Sequence, residues 1–153
     1  MRTEAIIVAA LAVVAGATPF LVDQWSTETD TRTENMSVTV INSSNVENNT
    51  DLRLGLNTEA NFEYGELPQG VAVRKSLVIN GSEPVMVQLD VSGNISKWTD
   101  YEKNYYFNGT REIPVEVNST ETGYFAGELE ITTTTPANGV GETWLDLKSS
   151  LYS

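Results

Sequence analysis

From Met36 onward, apolar and polar residues alternate along the chain with a period of two rather than 3.6. Leu52, Leu54 and Leu56 alternate with Asp51, Arg53 and Gly55. Val73, Leu77 and Ile79 alternate with Arg74 and Ser76, and Val85, Val87, Leu89 and Val91 with Met86, Gln88 and Asp90. Ile113, Val115 and Val117 form another such run, and Phe125, Gly127, Leu129, Ile131 and Thr133 share a face opposite Glu128 and Glu130. Leu145 and Leu147 flank Asp146 and read as a last strand. Strict alternation predicts half-buried antiparallel strands with one dry face. Turn signals separate the runs: Asn48-Asn49, Pro68-Gln69-Gly70, Asn80-Gly81, Ser92-Gly93-Asn94, Asn108-Gly109 and Pro136-Ala137-Asn138-Gly139. Asn80-Gly81, between two clean runs, predicts a hairpin. Seven or eight short strands at this spacing predict an all-β fold, a single antiparallel β-sandwich of Ig-like or jelly-roll type over residues 35–153. No stretch after Val22 carries a long helical period.

The first 34 residues follow a different pattern. Every residue from Ala5 to Val14 is apolar, and Ala15-Gly16-Ala17 and Thr18-Pro19 follow. This is the layout of a secretory signal, with residues 1–17 removed by cleavage after Ala17. The n-region is weak, with Arg2 as its one basic side chain. The alternatives are an uncleaved apolar anchor helix, since Ala5 to Val22 is 18 residues, and a buried helix of a protein that is not exported. Either of the first two places residues 35–153 outside the cell and limits any membrane contact to the N-terminal segment. Residues 18–34 read as an apolar-then-polar extended linker, in which Asp23 to Glu34 has no amphipathic period and Trp25 is the one large apolar residue.

Composition narrows the functions. The chain of 153 residues carries 9 Lys and Arg against 21 Asp and Glu, a formal net charge of −12. A surface this acidic repels phosphate backbones and makes nucleic acid a poor partner. It suits solubility and a salty or glycan-rich medium. There is no Cys and no His, so disulfides, thiolate metal sites and the commonest general base are unavailable.

Asn-x-Ser/Thr occurs at Asn35, Asn42, Asn48, Asn80, Asn94, Asn108 and Asn118, seven of the thirteen Asn residues. Composition alone would generate roughly two or three such sequons. Most fall at predicted turns or strand ends, where an N-linked glycan is accommodated. The bland reading is Asn- and Thr-rich turn chemistry.

Catalysis has little to build on. Without His, a nucleophilic Ser has no base, and no Ser-Lys motif is present. Gly139-Val140-Gly141 lacks the third Gly of a dinucleotide loop and reads as a turn. Asp100 with Glu102, or Glu63 with Glu66, could be an acid/base pair, but surface acids are plentiful. Asp23 and Asp30 are at most weak Ca²⁺ ligands without a loop motif. No cofactor is expected, and the chain reads as non-enzymatic. Trp98, Tyr101, Tyr105, Tyr106 and Phe107 form an aromatic stretch that serves either core packing or a contact patch.

The stretch from Gly16 through Val40 resembles the start of TasA/camelysin-type secreted proteins and of archaeal bundling-pilus subunits. The residues carrying the resemblance are Gly16, Ala17, Phe20, Trp25, Ser26, Thr27, Glu28, Thr29 and Asn35, with the strand to Val40. Asp23-Gln24 and the weakly basic signal depart from that pattern. The resemblance implies a jelly-roll that polymerises by donor-strand complementation. Phe20, Leu21, Val22 and Trp25 would then be the donor-strand interface inserted into the next copy. It further implies a homopolymeric extracellular subunit of a filament or biofilm matrix, with an envelope adhesion module as the alternative.

Overall fold

The computed structural model describes residues 26–42 and 62–152. These build strands β1 (Thr27–Ile41), β2 (Phe62–Pro68), β3 (Ala72–Val91), β4 (Thr99–Asp100), β5 (Asn104–Asn118) and β6 (Gly123–Pro136), followed by helix α1 (Gly139–Tyr152). All six strands belong to one hydrogen-bonded sheet in the order β2-β1-β6-β3-β5-β4. The mostly β character is thus as the alternation predicts. The antiparallel expectation holds for β1–β6, β3–β5, β3–β6 and β4–β5, but β1 and β2 run parallel. The expected strand at Leu52 to Leu56 lies outside the described residues.

The expected hairpin at Asn80-Gly81 is not formed. β3 runs through it, and Asn80 and Gly81 pair with Thr110 and Gly109 of β5. Two turn signals thus face each other across one ladder and bend it instead of reversing it. The register slips between Gly81 and Val85, which pairs with Phe107, so extra residues bulge from β3 and sharpen its twist. Gly109, at φ +92°, supplies the backbone conformation that side-chain-bearing residues avoid.

Beyond the bend, the far half of the β3–β5 ribbon lies over β2. Tyr64 on β2 donates its hydroxyl to the Val115 carbonyl at 2.9 Å. The Gly70 N–H bonds the Ser119 carbonyl at 2.8 Å where the chain turns from β2 into β3. Ile113, Val115 and Val117 of this half are fully buried with Met36, Val38 and Val40 of β1, Leu67 of β2 and Leu129 of β6, in one continuous core. Burying such side chains is worth about 1.5–3 kcal/mol each. β6 crosses beneath the Ser92-Gly93 turn so closely that a Cβ on Gly127 would collide with the Ser92 carbonyl.

Two segments differ from their sequence reading. The stretch taken as linker is β1 from Thr27 onward. Thr27 to Glu34 pairs residue by residue with Leu129 to Pro136 of β6, and Thr29–Thr134 and Thr31–Thr132 hydroxyls meet at 3.5 and 3.4 Å. Thr favours strands, and cross-strand Thr pairs reinforce them. A hydrophobic period could not reveal this, because the segment is polar on both faces.

The second is α1, where a final strand was expected and Gly139-Val140-Gly141 was read as a turn. Asn138 caps the helix, its Oδ1 accepting the Val140 and Gly141 N–H groups at 3.1 and 3.2 Å. Leu145 is the fully buried anchor of the helix, while Leu147 stands half-exposed. A buried-exposed pair two residues apart mimics strand alternation when only that pair is inspected.

Candidate functional site

The predicted donor residues Phe20, Leu21, Val22 and Trp25 lie outside the described residues, but the point at which they join the sheet is defined. Ser26 is buried, and its carbonyl accepts the Ala137 N–H at 2.7 Å. Thr27 then enters the ladder opposite Pro136. Ser26 therefore lies at one end of the β1–β6 pair, beside the start of α1. A Cβ on Gly141 would collide with the Ser26 carbonyl, so a glycine is required where the helix crosses Ser26.

Beyond the bend, β3 pairs with β5 from Ala72 to Gly81. Among the described residues no strand pairs with its other side. Val73, Leu77 and Ile79 on this stretch are only partly buried, although they pack on the core. Lys75, on the same line, donates to the Glu63 carbonyl of β2 at 2.6 Å and sits 5.6 Å from the Tyr64 ring centre. Desolvation pulls the Lys75 ammonium below its ordinary pKa, against the opposing attraction of Glu63. Burial raises the Tyr64 phenol above its ordinary pKa.

Six of the sequon asparagines, Asn35, Asn42, Asn80, Asn94, Asn108 and Asn118, are exposed, and Asn48 lies outside the described residues. Asn80, Asn108 and Asn118 sit on the bent β3–β5 ribbon, Asn35 within β1, Asn42 just past its end, and Asn94 in the turn after β3. Asn94 Oδ1 accepts the Ala126 N–H at 2.7 Å, and Asn80 Oδ1 accepts the Thr110 hydroxyl at 3.1 Å. Both bonds use the amide oxygen, not the nitrogen that a glycan would take. Thr110 is also the hydroxyl residue of the Asn108 sequon, so one hydroxyl links two sequons across the ladder.

The aromatic stretch divides between core and surface. Tyr105 and Phe107 are buried, and Trp98 and Tyr101 pack against the core. Trp98 meets Phe125 edge-on at 5.9 Å, with the Lys97 ammonium 4.6 Å from its ring centre. Its indole N–H is buried without a hydrogen-bond partner among the described residues. Tyr101 accepts the Val91 N–H at 3.1 Å. Tyr106 points the other way and donates to Asp146 of α1. Burial first, then the bond and charge of Asp146, push its phenol up to about 12.

Beside Tyr106, α1 and the sheet enclose an open trough of about 320 Å³, lined by Glu102, Asn104, Tyr106, Arg111 and Lys148 among others. Sequence reasoning missed it because it needs the helix. Glu102 lines the trough, while Asp100 sits on β4 and Glu63 and Glu66 are exposed on β2. Among the described residues, no group of three or more acids is placed to hold a metal ion, and no helix is long and apolar enough to cross a membrane. No family model, curated protein or solved structure matches the chain.

Proposed function

We propose that the protein is a non-catalytic, extracellular structural subunit of a pilus-like filament or biofilm matrix, assembled by donor-strand complementation and coated with N-linked glycans. The observation that carries this is the pairing of two features in one fold. An apolar segment, Phe20 to Trp25, joins the sheet at an exit held by Ser26 and Ala137. Elsewhere, β3 from Ala72 to Gly81 presents an edge unpaired among the described residues, with Val73, Leu77 and Ile79 half-covered behind it. An edge of this kind accepts an added strand through main-chain hydrogen bonds and alternate side chains. Head-to-tail insertion does not close on itself and builds a filament.

The finer architecture in this proposal is a sandwich closed by one bent ribbon. β2, β1, β6 and the near half of β3–β5 form one layer, and the far half with β4 forms the other. The exposed sequon asparagines support glycosylation, and the N-terminal resemblance to TasA/camelysin-type proteins supports the same mode of assembly. Deleting Thr18 to Trp25 is expected to abolish polymers in negative-stain micrographs while leaving the β circular dichroism intact. Polymers that persist in a folded deletion variant rule out the donor strand. The open trough beside Tyr106 favours a second reading, an envelope-anchored adhesion module. In that case the native protein would retain Met1 and behave as detergent-soluble single particles.

A further inference from the structure

The sheet carries a polar rung across four of its strands. Thr31 of β1, Thr132 of β6, Gln88 of β3 and Asn104 of β5 stand side by side in register. Their chain neighbours Val87, Leu89, Tyr105 and Ile131 are buried in the core, so alternation puts the rung on the opposite face. The Thr31 and Thr132 hydroxyls meet at 3.4 Å, and Gln88 Nε2 donates to Asn104 Oδ1 at 3.1 Å. Gln88 Oε1 and Asn104 Nδ2 bond nothing else among the described residues. The adjacent rung is Thr29, Thr134, Met86 and Tyr106, and Tyr106 is held by its bond to Asp146. With strands about 4.8 Å apart, each rung runs about 14 Å.

Three hollows follow these rungs. The trough of about 320 Å³ shares Met86, Asn104 and Lys148 with a hollow of about 270 Å³. That hollow shares Gln88, Asn104 and Thr132 with a third, of about 360 Å³. Common walls thus join them into one open groove. Its charge changes along its length. Arg111 and Lys148 line the trough with Glu102, two bases to one acid in a chain that has 9 bases and 21 acids. Arg111 is exposed, 5.8 Å from the Tyr105 ring centre, and makes no ion pair among the described residues. The third hollow is lined by Asp90 and Glu130 against Lys103.

We infer that this groove binds a polysaccharide in which uronic acid units are spaced by neutral sugars. The carboxamides and hydroxyls of the rung offer both donors and acceptors, which sugar hydroxyls require. Met86 and the Tyr106 ring offer an apolar surface to the C–H faces of the sugar. Arg111 and Lys148 take one carboxylate at the trough end. A densely charged polyanion instead meets Asp90, Glu130 and the excess negative charge of the chain. The inference rests on the adhesion reading in taking the trough as the binding site, and it supplies the ligand class for that reading.

The test is calorimetric titration of the full chain, held in a neutral detergent, with two matched sugars. Hyaluronan hexasaccharide alternates uronic acid with N-acetylglucosamine, whereas chitohexaose is N-acetylglucosamine throughout. The hyaluronan fragment is expected to bind at least about tenfold more tightly. Arg111→Met should remove that preference, and Gln88→Ala with Asn104→Ala should weaken both sugars. Arg74→Met, which deletes the same charge from the Arg74–Glu116 pair outside the groove, should change neither. All four positions are exposed, and unchanged thermal transitions verify that each variant is folded. Equal affinity for the two sugars, or no binding of either, overturns the inference. So does an Arg74→Met loss as large as that of Arg111→Met. A glutamate hexapeptide that binds as tightly as the hyaluronan fragment, with the same dependence on Arg111, overturns it in favour of an acidic protein segment. Selective binding by native protein that lacks Met1 upholds the inference and removes only the envelope anchor. An anchored chain that binds neither sugar overturns the inference and keeps the anchor.

Discussion

The Tyr64 hydroxyl ties β2 to the folded-back half of β5, which makes Tyr64→Phe a direct test of how the ribbon closes over the core. The side chain is 1% exposed and its bond to the Val115 carbonyl is 2.9 Å long. The substitution keeps the ring and removes one hydroxyl, so packing is conserved and a buried carbonyl loses a partner. The expected cost is about 1–2 kcal/mol, a fall in melting temperature of about 2–8 °C for a chain of this size.

The same substitution has a pH signature. Burial raises the Tyr64 pKa in the folded chain, whereas an exposed tyrosine titrates near about 10. The folded state therefore keeps its proton where the unfolded state has released one. Stability is unaffected below pH about 10 and falls as pH rises through it, by up to about 1.4 kcal/mol per pH unit for one phenol. Tyr105 and Tyr106, whose pKa values are also raised, add to the wild-type slope and remain in the variant. Urea unfolding at pH 7 and at a series of values above 10 should show Tyr64→Phe less stable at neutrality yet shallower in its alkaline decline. Unchanged stability at pH 7 together with an unchanged alkaline slope would refute the buried bond and the ribbon closure it represents.

Two further substitutions probe the close approaches. Leu145→Ala empties the fully buried anchor of α1 and should cost about 2–5 kcal/mol, read as an earlier thermal transition by circular dichroism. A loss below about 0.5 kcal/mol would mean that the helix is not packed on the sheet. Gly127→Ala places a methyl against the Ser92 carbonyl and Ile95 and should destabilise by about 1–3 kcal/mol or more. Gly139→Ala, where a Cβ meets nothing within 4 Å, is the matched control, and equal effects on denaturation midpoint would contradict the crossing geometry.

Much of the strand content was determined by sequence alone. At Val85 to Val91, Ile113 to Val117 and Phe125 to Ile131, apolar side chains recur every second residue, and the pleat sends each to the buried face. The turns at Pro68-Gln69-Gly70 and Ser92-Gly93-Asn94 were equally legible, because Gly70 and Gly93 adopt the positive φ that such turns demand. The exposure of the six described sequon asparagines follows from their polarity and needs no tertiary information.

Tertiary structure decided the rest. Asn80-Gly81 and Asn108-Gly109 each favour reversal locally, but once paired with one another they bend a ribbon, and only the partner strand determines which outcome occurs. Thr27 to Glu34 became a strand because β6 offers Thr132 and Thr134 in register, a pairing between residues about a hundred positions apart. The parallel placement of β2 beside β1 likewise depends on contacts that a local pattern does not encode. α1 formed where an Asn cap could satisfy its first N–H groups and Gly141 could pass the Ser26 carbonyl. Local alternation specifies which face of a strand is dry, while the identity of its neighbour is a long-range free-energy choice that short-range periodicity leaves open.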